Sequence, residues 1–291
     1  MSNADWQFHP AADHGLGPVE RLRSTRREQG LLSWAMHHLA LAGLRTTLKV
    51  YHRFEVHGRE NLPTAPPFVM IANHASHLDA LVLAAALPRK VSATTFPVAA
   101  GDVFFESAAL SAATALFINA LPLWRKRATG HALEDLRARL LGRREGAPGS
   151  SVLGPEQGSR RDVQDSGLQD SGPKGSTRDI AHQPECFSPV GLILFPEGAR
   201  SRDGAMMPFK PGIGRIVAAT SVPVIPCWID GAHGAFPPGT WLPRPRKLVV
   251  RVGAPLKFAD QPESRDGYDA VATRLHQAVE ALRADTQRVG G

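Results

Sequence analysis

The stretch FVMIANHASHLD, residues 68–79, decides the fold of this 291-residue chain. Its first five residues are apolar, which is typical of a buried strand, and the helix-forming residues 80–87 come directly after it. The pattern predicts a strand, a short polar turn and a buried helix. His74 then lies in the turn, and Asp79 lies in the first turn of the helix.

The spacing of His74 and Asp79 is compatible with a catalytic pair. On one continuous helix, five residues would rotate the two side chains about 140° apart. If Ser76 is the N-cap, however, His74 precedes the helix and the carboxylate can reach the imidazole. One ring nitrogen would then be held as N–H while the other accepts a proton, as in a general base for a hydroxyl nucleophile.

Two other interpretations fit the same residues. Ser76 and Asp79 also resemble a capping box, in which Asp79 only accepts a hydrogen bond from a backbone N–H. His74, His77 and Asp79 could instead be ligands of a metal ion. This stretch alone leaves the three interpretations open.

The composition narrows the class of partner. The chain carries a formal net charge of +7, and 43% of its residues are hydrophobic, as expected of a globular protein. The basic balance suits nucleic acid, anionic lipid or phosphorylated substrates. No zinc-finger spacing or RNP-like strand is present, and aromatic residues make up only 7%, so nucleic acid is not expected. Two cysteines cannot form a disulfide framework, which favours a reducing compartment.

The N-terminal region is expected to be basic and disordered over residues 1–28, without a secretory signal. Residues 29–50 predict an amphipathic helix whose apolar face is interrupted by His37, His38, Arg45 and Lys49. These polar interruptions favour a helix lying in the membrane interface over one that spans it. The alternative is a helix packed on the body of the domain.

The remaining pattern predicts one α/β domain, formed by residues 51–142 and 189–290. Strands are expected at 53–58, 92–97, 120–123, 190–195, 222–229 and 247–252, and helices at 107–119, 131–141, 209–219 and 268–282. Alternating strands and helices indicate a mixed, largely parallel sheet with helices on both faces. Residues 143–188 are rich in Gly, Ser, Pro and Gln, and are expected to be a disordered insertion. No dinucleotide fingerprint, Walker loop or Gly-x-Ser-x-Gly motif follows a strand.

Three boxes occur in order along the chain: His74-Ala-Ser-His-Leu-Asp79, Phe195-Pro-Glu-Gly-Ala-Arg-Ser201 and Val222-Pro-Val-Ile-Pro226. Together they resemble the glycerolipid acyltransferase family, in its PlsC-like, 1-acylglycerol-3-phosphate acyltransferase branch. The resemblance covers about residues 50–255, apart from the insertion. It implies a glycerol-3-phosphate acyltransferase-like fold.

The resemblance also implies roles for individual residues. His74 would take the proton from a glycerol hydroxyl while Asp79 orients it. Glu197, Gly198, Arg200 and Ser201 match the box that binds the glycerol phosphate of the acceptor. Arg125 and Lys210 fall where the family places further cations near the phosphate. No cofactor or metal is implied, because a thioester donor is already activated.

The expected function is acyl transfer from acyl-CoA or acyl carrier protein to a lysophospholipid, with 1-acylglycerol 3-phosphate as acceptor and phosphatidic acid as product. The expected location is the cytoplasmic face of an anionic membrane, as a peripheral or monotopic protein. The alternatives are another lysolipid as acceptor, or a non-catalytic peripheral lipid-binding protein with the same fold.

Overall fold

The fold is described from a computed structural model, which describes residues 31–100, 121–123, 130–142 and 188–289. The strands are β1 Glu55–His57, β2 Phe68–Ala72, β3 Thr95–Ala100, β4 Leu121–Leu123, β5 Gly191–Leu194, β6 Val224–Asp230 and β7 Val249–Val252. The helices are α1 Leu31–Tyr51, α2 Asp79–Ala86, α3 Arg89–Ser92, α4 Gly130–Leu141, α5 Gly212–Val217, α6 Ala232–Ala235 and α7 Arg265–Val289. A short 3-10 turn covers Arg59–Asn61.

The seven described strands form one sheet in the order β1-β7-β6-β2-β5-β3-β4. All neighbours are parallel except β6 and β7, which are antiparallel. The central strand β2 lies between β5 and β6, and all five of its residues are buried. This burial on both faces is why residues 68–72 are continuously apolar rather than alternating. The predicted mixed, largely parallel sheet is confirmed.

Helices cover both faces of the sheet, as predicted. Phe68 and Met70 of β2 point into the cluster formed with α1 and α2. Val69 and Ile71 point into the opposite cluster, which contains residues of α4, α5 and α7. Successive side chains of one strand therefore anchor two separate helical layers.

Helix α1 packs on the body of the domain through its C-terminal half. Leu41 and Leu48 are buried, and the Arg45 guanidinium donates to the carbonyl oxygens of Ala85 and Leu87 at the end of α2. These contacts match the body-packed alternative for this helix. The interface interpretation of residues 29–50 stays a prediction. Within the described residues, no helix has both the length and the hydropathy needed to cross a membrane.

Most predicted elements are found with shifted ends. The strand expected from residue 92 begins at Thr95, because residues 89–92 form the short helix α3. The helix expected over 209–219 is limited to Gly212–Val217. The predicted helix at 107–119 and residues 143–187 of the predicted insertion lie outside the described residues, as do residues 1–28.

Candidate active site

The predicted site residues follow the carboxyl ends of neighbouring parallel strands. Asn73 follows β2, Phe195 follows β5 and Gly231 follows β6, and these strands are adjacent in the sheet. Their ends meet at one edge, where open α/β sheets form binding sites. Two turns that lie more than 120 residues apart in the chain are joined there, because Ser201 N–H donates to the His74 carbonyl oxygen over 2.7 Å.

His74 and Asp79 form a direct pair. The imidazole Nδ1 lies 2.8 Å from Asp79 Oδ2, and the Asp79 side chain is 1% exposed. A buried carboxylate at this distance holds Nδ1 as the N–H, so Nε2 is the nitrogen with the lone pair. None of the described residues forms a hydrogen bond with Nε2, and the His74 side chain is 22% exposed. The ring is therefore both oriented and accessible.

The same carboxylate also organises the turn before the helix. Asp79 Oδ2 accepts hydrogen bonds from the backbone N–H groups of Ala75, at 2.7 Å, and Ser76, at 2.8 Å. Ser76 Oγ in turn accepts from Leu78 N–H over 3.1 Å. Asp79 therefore both pairs with His74 and accepts from the backbone N–H groups before the helix, but the prediction of Ser76 as N-cap is wrong, because the N-cap is Leu78 and forms no side-chain capping bond. Helix α2 begins at Asp79, so His74 lies outside the helix and folds back towards the carboxylate.

The His74 ring is also held from its flat side. It stacks on the Phe195 ring, with centroids 4.2 Å apart and planes inclined by 17°. Phe195 directly follows β5, so the stacking contact depends on the adjacency of β2 and β5 in the sheet. One edge contact to Asp79 and one face contact to Phe195 fix both the direction and the plane of the imidazole.

Glu197 is buried behind His74, with 2% of its surface exposed. Its Oε1 accepts from His74 N–H over 2.7 Å, and its Oε2 accepts from Met207 N–H over 3.0 Å. Burial raises the pKa of Glu197 to about 7, an effect that the two backbone hydrogen bonds only partly offset. Both oxygens thus bind the chain itself.

Arg200 faces the site from the second turn. Its guanidinium contacts the His77 imidazole, although the two residues are 123 positions apart. Burial, followed by the charge of Arg200, lowers the pKa of His77, so its ring is neutral at pH 7 and can accept a hydrogen bond from the guanidinium. Arg200 is partly exposed and keeps further N–H donors for a ligand.

Ser201 and Gly198 lie in the same turn, and the predicted residue Lys210 contacts that turn from the segment before α5. Ser201 is buried, and its hydroxyl donates to Asp203 Oδ1 over 2.7 Å and accepts from Gly204 N–H. Gly198 has a φ of +73°, and a Cβ there would lie 2.7 Å from Lys210 Nζ. Lys210 is exposed, and its backbone N–H donates to the Pro196 carbonyl oxygen. The Lys210 ammonium therefore lies across the glycine, at the surface of the turn.

The metal interpretation receives no support from the orientation of His77. That ring faces a guanidinium, and a cation is a poor neighbour for a metal ligand. Among the residues that the structure describes, no group of three or more His, Cys, Asp or Glu is arranged to hold a metal ion. Predicted residue Arg125 lies outside the described residues.

Two positioning residues were missed by sequence reasoning. The Asn73 side chain accepts from Ile229 N–H at 2.8 Å and donates to the Ile229 carbonyl oxygen at 3.1 Å, which ties the His74 turn to β6. The sequence predicts Phe195 as the end of a strand and the first residue of the second box, but gives no sign of its contact with His74. Both residues could have been found from their position in the sequence, because each is the first residue after a strand that leads into a predicted site turn.

Comparison with known proteins identifies the family of the chain. The family model described as Acyltransferase matches residues 53–230, a range that contains strands β1 to β6 and both turns of the site. The chain belongs to the Acyltransferase family. Its paired His74 and Asp79 and its Glu197 to Ser201 turn all lie inside the matched range.

Individual relatives match shorter parts of the chain. The 1-acyl-sn-glycerol-3-phosphate acyltransferase of Limnanthes douglasii is 38% identical over 71 residues, which is 24% of this chain and 25% of the relative. The alpha form of the same enzyme from Mus musculus is 25% identical over 174 residues, 60% of this chain and 44% of the relative. The chain thus spans from a quarter to less than half of these relatives.

A solved structure shares the fold. The crystal structure of the 1-acyl-sn-glycerophosphate acyltransferase PlsC from Thermotoga maritima superposes with a TM-score of 0.52 and 20% sequence identity, covering 84% of this chain and 79% of that one. At this identity the match supports the fold, which agrees with the expected glycerol-3-phosphate acyltransferase-like architecture.

Proposed function

We propose that this protein transfers an acyl chain from acyl-CoA or acyl carrier protein to the free hydroxyl of 1-acylglycerol 3-phosphate, giving phosphatidic acid. The observation that carries the proposal is the oriented His74 ring, whose Nδ1 is bound to buried Asp79 while Nε2 remains accessible. Membership of the Acyltransferase family and the names of the relatives support the reaction class and the acceptor.

The proposed reaction needs one residue that moves a proton. His74 Nε2 takes the hydroxyl proton while the acceptor oxygen attacks the thioester carbonyl carbon. A new C–O bond forms, the C–S bond breaks, and the leaving thiolate receives the proton from the imidazolium. Asp79 stabilises that imidazolium through the bond at Nδ1. No covalent acyl-enzyme is required, because the two substrates react directly.

The acceptor phosphate is assigned to the cations at the mouth of the site. Arg200 is partly exposed and can donate two charge-assisted hydrogen bonds to one phosphate, and Lys210 adds a second positive charge across Gly198. Arg125 is retained in the proposal as a further phosphate ligand on the strength of the family resemblance alone.

Glu197 and Ser201 take a different role in this proposal. Their polar side-chain atoms bind groups within the protein, and both residues are buried, so we assign them to holding the two turns together rather than to contacting the acceptor. Gly198 permits the backbone conformation and leaves room for Lys210. Direct recognition then falls to Arg200 and Lys210.

The proposed location is the cytoplasmic face of the membrane, with the protein bound peripherally or monotopically. The +7 net charge and the amphipathic pattern of residues 29–50 support attraction to an anionic surface. Such a location would bring the enzyme to an acceptor that resides in the bilayer.

The test is transfer of a labelled acyl group from acyl-CoA, and separately from acyl carrier protein, to a panel of lysolipids. Wild type, His74→Ala and the control His57→Ala are compared, since His57 is exposed on the outer strand β1. Product with 1-acylglycerol 3-phosphate that is lost only in His74→Ala is expected.

Other outcomes identify the alternatives. Product only with a different lysolipid would keep the mechanism and change the acceptor. Lysolipid binding without transfer from either donor would favour the non-catalytic lipid-binding protein. Loss of activity on treatment with a chelator, restored by a divalent metal, would favour a metal-dependent reaction over the one proposed.

A further inference from the structure

The connection between β6 and β7 carries the most exposed large apolar side chain among the described residues. Trp241 is 85% exposed and its neighbour Leu242 is 58% exposed. We refer to residues 236–246 as the Trp241 loop. A solvated tryptophan next to a solvated leucine is unfavourable in water, which points to a partner that covers both.

The topology places the Trp241 loop at the same edge of the sheet as the site. Strand β7 is antiparallel to β6, with Val249 paired to Asp230, so the connection lies beyond the carboxyl end of β6. The loop also begins in contact with the site. The Phe236 carbonyl oxygen accepts from Ser76 Oγ over 2.8 Å, and the Phe236 ring lies 5.0 Å from that of His77. Five residues later, Trp241 lies within about 18 Å of Phe236 along the chain.

The loop is braced rather than free to fold over the body. Four of its eleven residues are proline, which restricts the backbone. Arg244 N–H donates to the Ala235 carbonyl oxygen over 2.7 Å, and the Tyr51 hydroxyl at the end of α1 donates to the Pro243 carbonyl oxygen over 3.1 Å. The two apolar side chains are therefore held outward between fixed ends.

Two cations follow Trp241 and Leu242, which form the apolar tip of the loop. Arg244 and Arg246 are exposed, and no ion pair joins either of them to another residue that the structure describes. Lys247, by contrast, pairs with Glu55 over 2.8 Å. A tryptophan and a leucine beside two solvated guanidinium groups match the boundary between anionic headgroups and acyl chains.

The size of the tip favours a lipid surface over a protein partner. At their exposures of 85% and 58%, Trp241 and Leu242 present on the order of 300 Å², whereas a stable protein interface takes about 800 Å² from each partner. A fluid lipid surface accepts a small protrusion without requiring a complementary shape.

We propose that the Trp241 loop inserts Trp241 and Leu242 into an anionic bilayer, with Arg244 and Arg246 on the headgroups, and so holds the mouth of the His74 site at the membrane. The delivery of a bilayer-resident acceptor to His74 rests on the proposed function, but the binding itself does not. This surface is distinct from the amphipathic pattern of residues 29–50.

The test is co-sedimentation of the full-length protein with vesicles of phosphatidylcholine, with and without phosphatidylglycerol. Trp241→Ser/Leu242→Ser is expected to lower partitioning at least tenfold on anionic vesicles. Arg244→Gln/Arg246→Gln is expected to lower it about 25-fold on anionic vesicles only, since each cation contributes about fivefold there. The charge control is Lys257→Gln/Arg265→Gln, which removes two exposed cations that follow β7. The chain there has returned to the beginning of β6, where Leu256 pairs with Val224, whereas the Trp241 loop follows the end of β6. The partitioning of this control should stay within twofold of wild type.

A second control separates the loop from α1. Leu39 is an exposed apolar residue of α1, and Leu39→Ser should weaken binding less than the Trp241 loop variant does. Absence of wild-type binding to anionic vesicles, or loss in Leu39→Ser with none in the loop variant, would overturn the proposal. An arginine variant that binds vesicles normally but has a raised KM for an acyl carrier protein donor would also overturn it, in favour of a protein partner.

An activity measurement keeps this proposal separate from the proposed function. With a short-chain, water-soluble lysophosphatidate as acceptor, the loop variants should retain wild-type kcat, because none of their changed residues touches His74 or Arg200. With acceptor presented in vesicles, their rates should fall in step with partitioning. Loss of rate with the soluble acceptor as well would overturn the membrane role of the loop.

Discussion

Asp79→Asn is the substitution that tests the proposed mechanism most directly. In the folded protein, Asp79 Oδ2 accepts from His74 Nδ1–H and from the backbone N–H groups of Ala75 and Ser76. Asparagine has nearly the same shape, and its amide oxygen can keep all three hydrogen bonds. What disappears is the negative charge that faces the imidazolium formed when His74 takes the proton.

The magnitude follows from the geometry of the pair. A hydrogen bond between charged partners contributes about 1.5–3 kcal/mol, which sets the lower end of the effect. Two unit charges about 4 Å apart interact by about 4 kcal/mol at an effective dielectric constant of 20, which sets the upper end. The buried position of Asp79 keeps solvent screening small. We therefore expect kcat to fall between about tenfold and about a thousandfold.

The assay is the release of free thiol from acyl-CoA in the presence of 1-acylglycerol 3-phosphate at saturation. Asp203→Asn is the matched control, because Asp203 is an exposed carboxylate of the neighbouring turn that binds Ser201 and Ala205 but not His74. Its kcat should stay within about threefold of wild type. If Asp79→Asn folds normally and keeps a kcat equal to that of Asp203→Asn, the charge of Asp79 has no role in the reaction.

A second substitution at the same position separates catalysis from folding. Asp79→Ala leaves the N–H groups of Ala75 and Ser76 without their acceptor, and each such loss costs about 1–3 kcal/mol. The free energy of unfolding should fall by about 2–6 kcal/mol, as measured by urea denaturation, whereas Asp79→Asn should lose clearly less. Equal losses in the two variants would contradict the backbone role of Asp79.

Three further predictions concern the second turn. Burial raises the pKa of Glu197 to about 7, so the folded protein holds a proton that the unfolded chain releases above about pH 4.5. The free energy of unfolding should therefore decrease by on the order of 3 kcal/mol between pH 4.5 and 7.5, relative to Glu197→Gln. Urea-denaturation measurements that show the same pH dependence for the two proteins would contradict this. Arg200→Ala should raise the KM for the phosphorylated acceptor about ten- to hundredfold, with a smaller change in kcat. The control Arg202→Ala removes an exposed neighbouring arginine and should leave this KM unchanged. Equal KM values for the two variants would show that Arg200 does not bind the phosphate. Gly198→Ala should lower the free energy of unfolding by about 1–2 kcal/mol, because alanine is strained at the positive φ of this position. It should also raise the KM for the phosphorylated acceptor, because the new Cβ displaces Lys210. Thermal unfolding unchanged from wild type would show that the backbone strain is absent.

Most of the fold could be predicted from local sequence, because the central strands are buried on both faces. Residues 68–72 and 191–194 must be apolar throughout to pack two helical layers, and so they are recognisable without any knowledge of their partners. The beginning of β3 was predicted less well, because Ser92 ends the short helix α3 and the strand begins only at Thr95.

The pairing of His74 with Asp79 was also predictable, because it is a local turn of six residues. The role of Glu197 was not. Its family position suggests contact with substrate, but the direction of its side chain depends on which backbone N–H groups lie within reach. Those groups belong to His74 and Met207, and only the adjacency of β2 and β5 brings them there.

The sequence by itself determined the central strands, the His74 turn and the family, because each of these depends on short-range pattern and residue chemistry. Tertiary structure alone decided that Arg200 meets His77, that Glu197 is buried, and that the Trp241 loop stands at the edge of the sheet that carries the site. The antiparallel return of β7 beside β6 places that loop, and such an order of strands is a long-range packing choice that no local periodicity encodes.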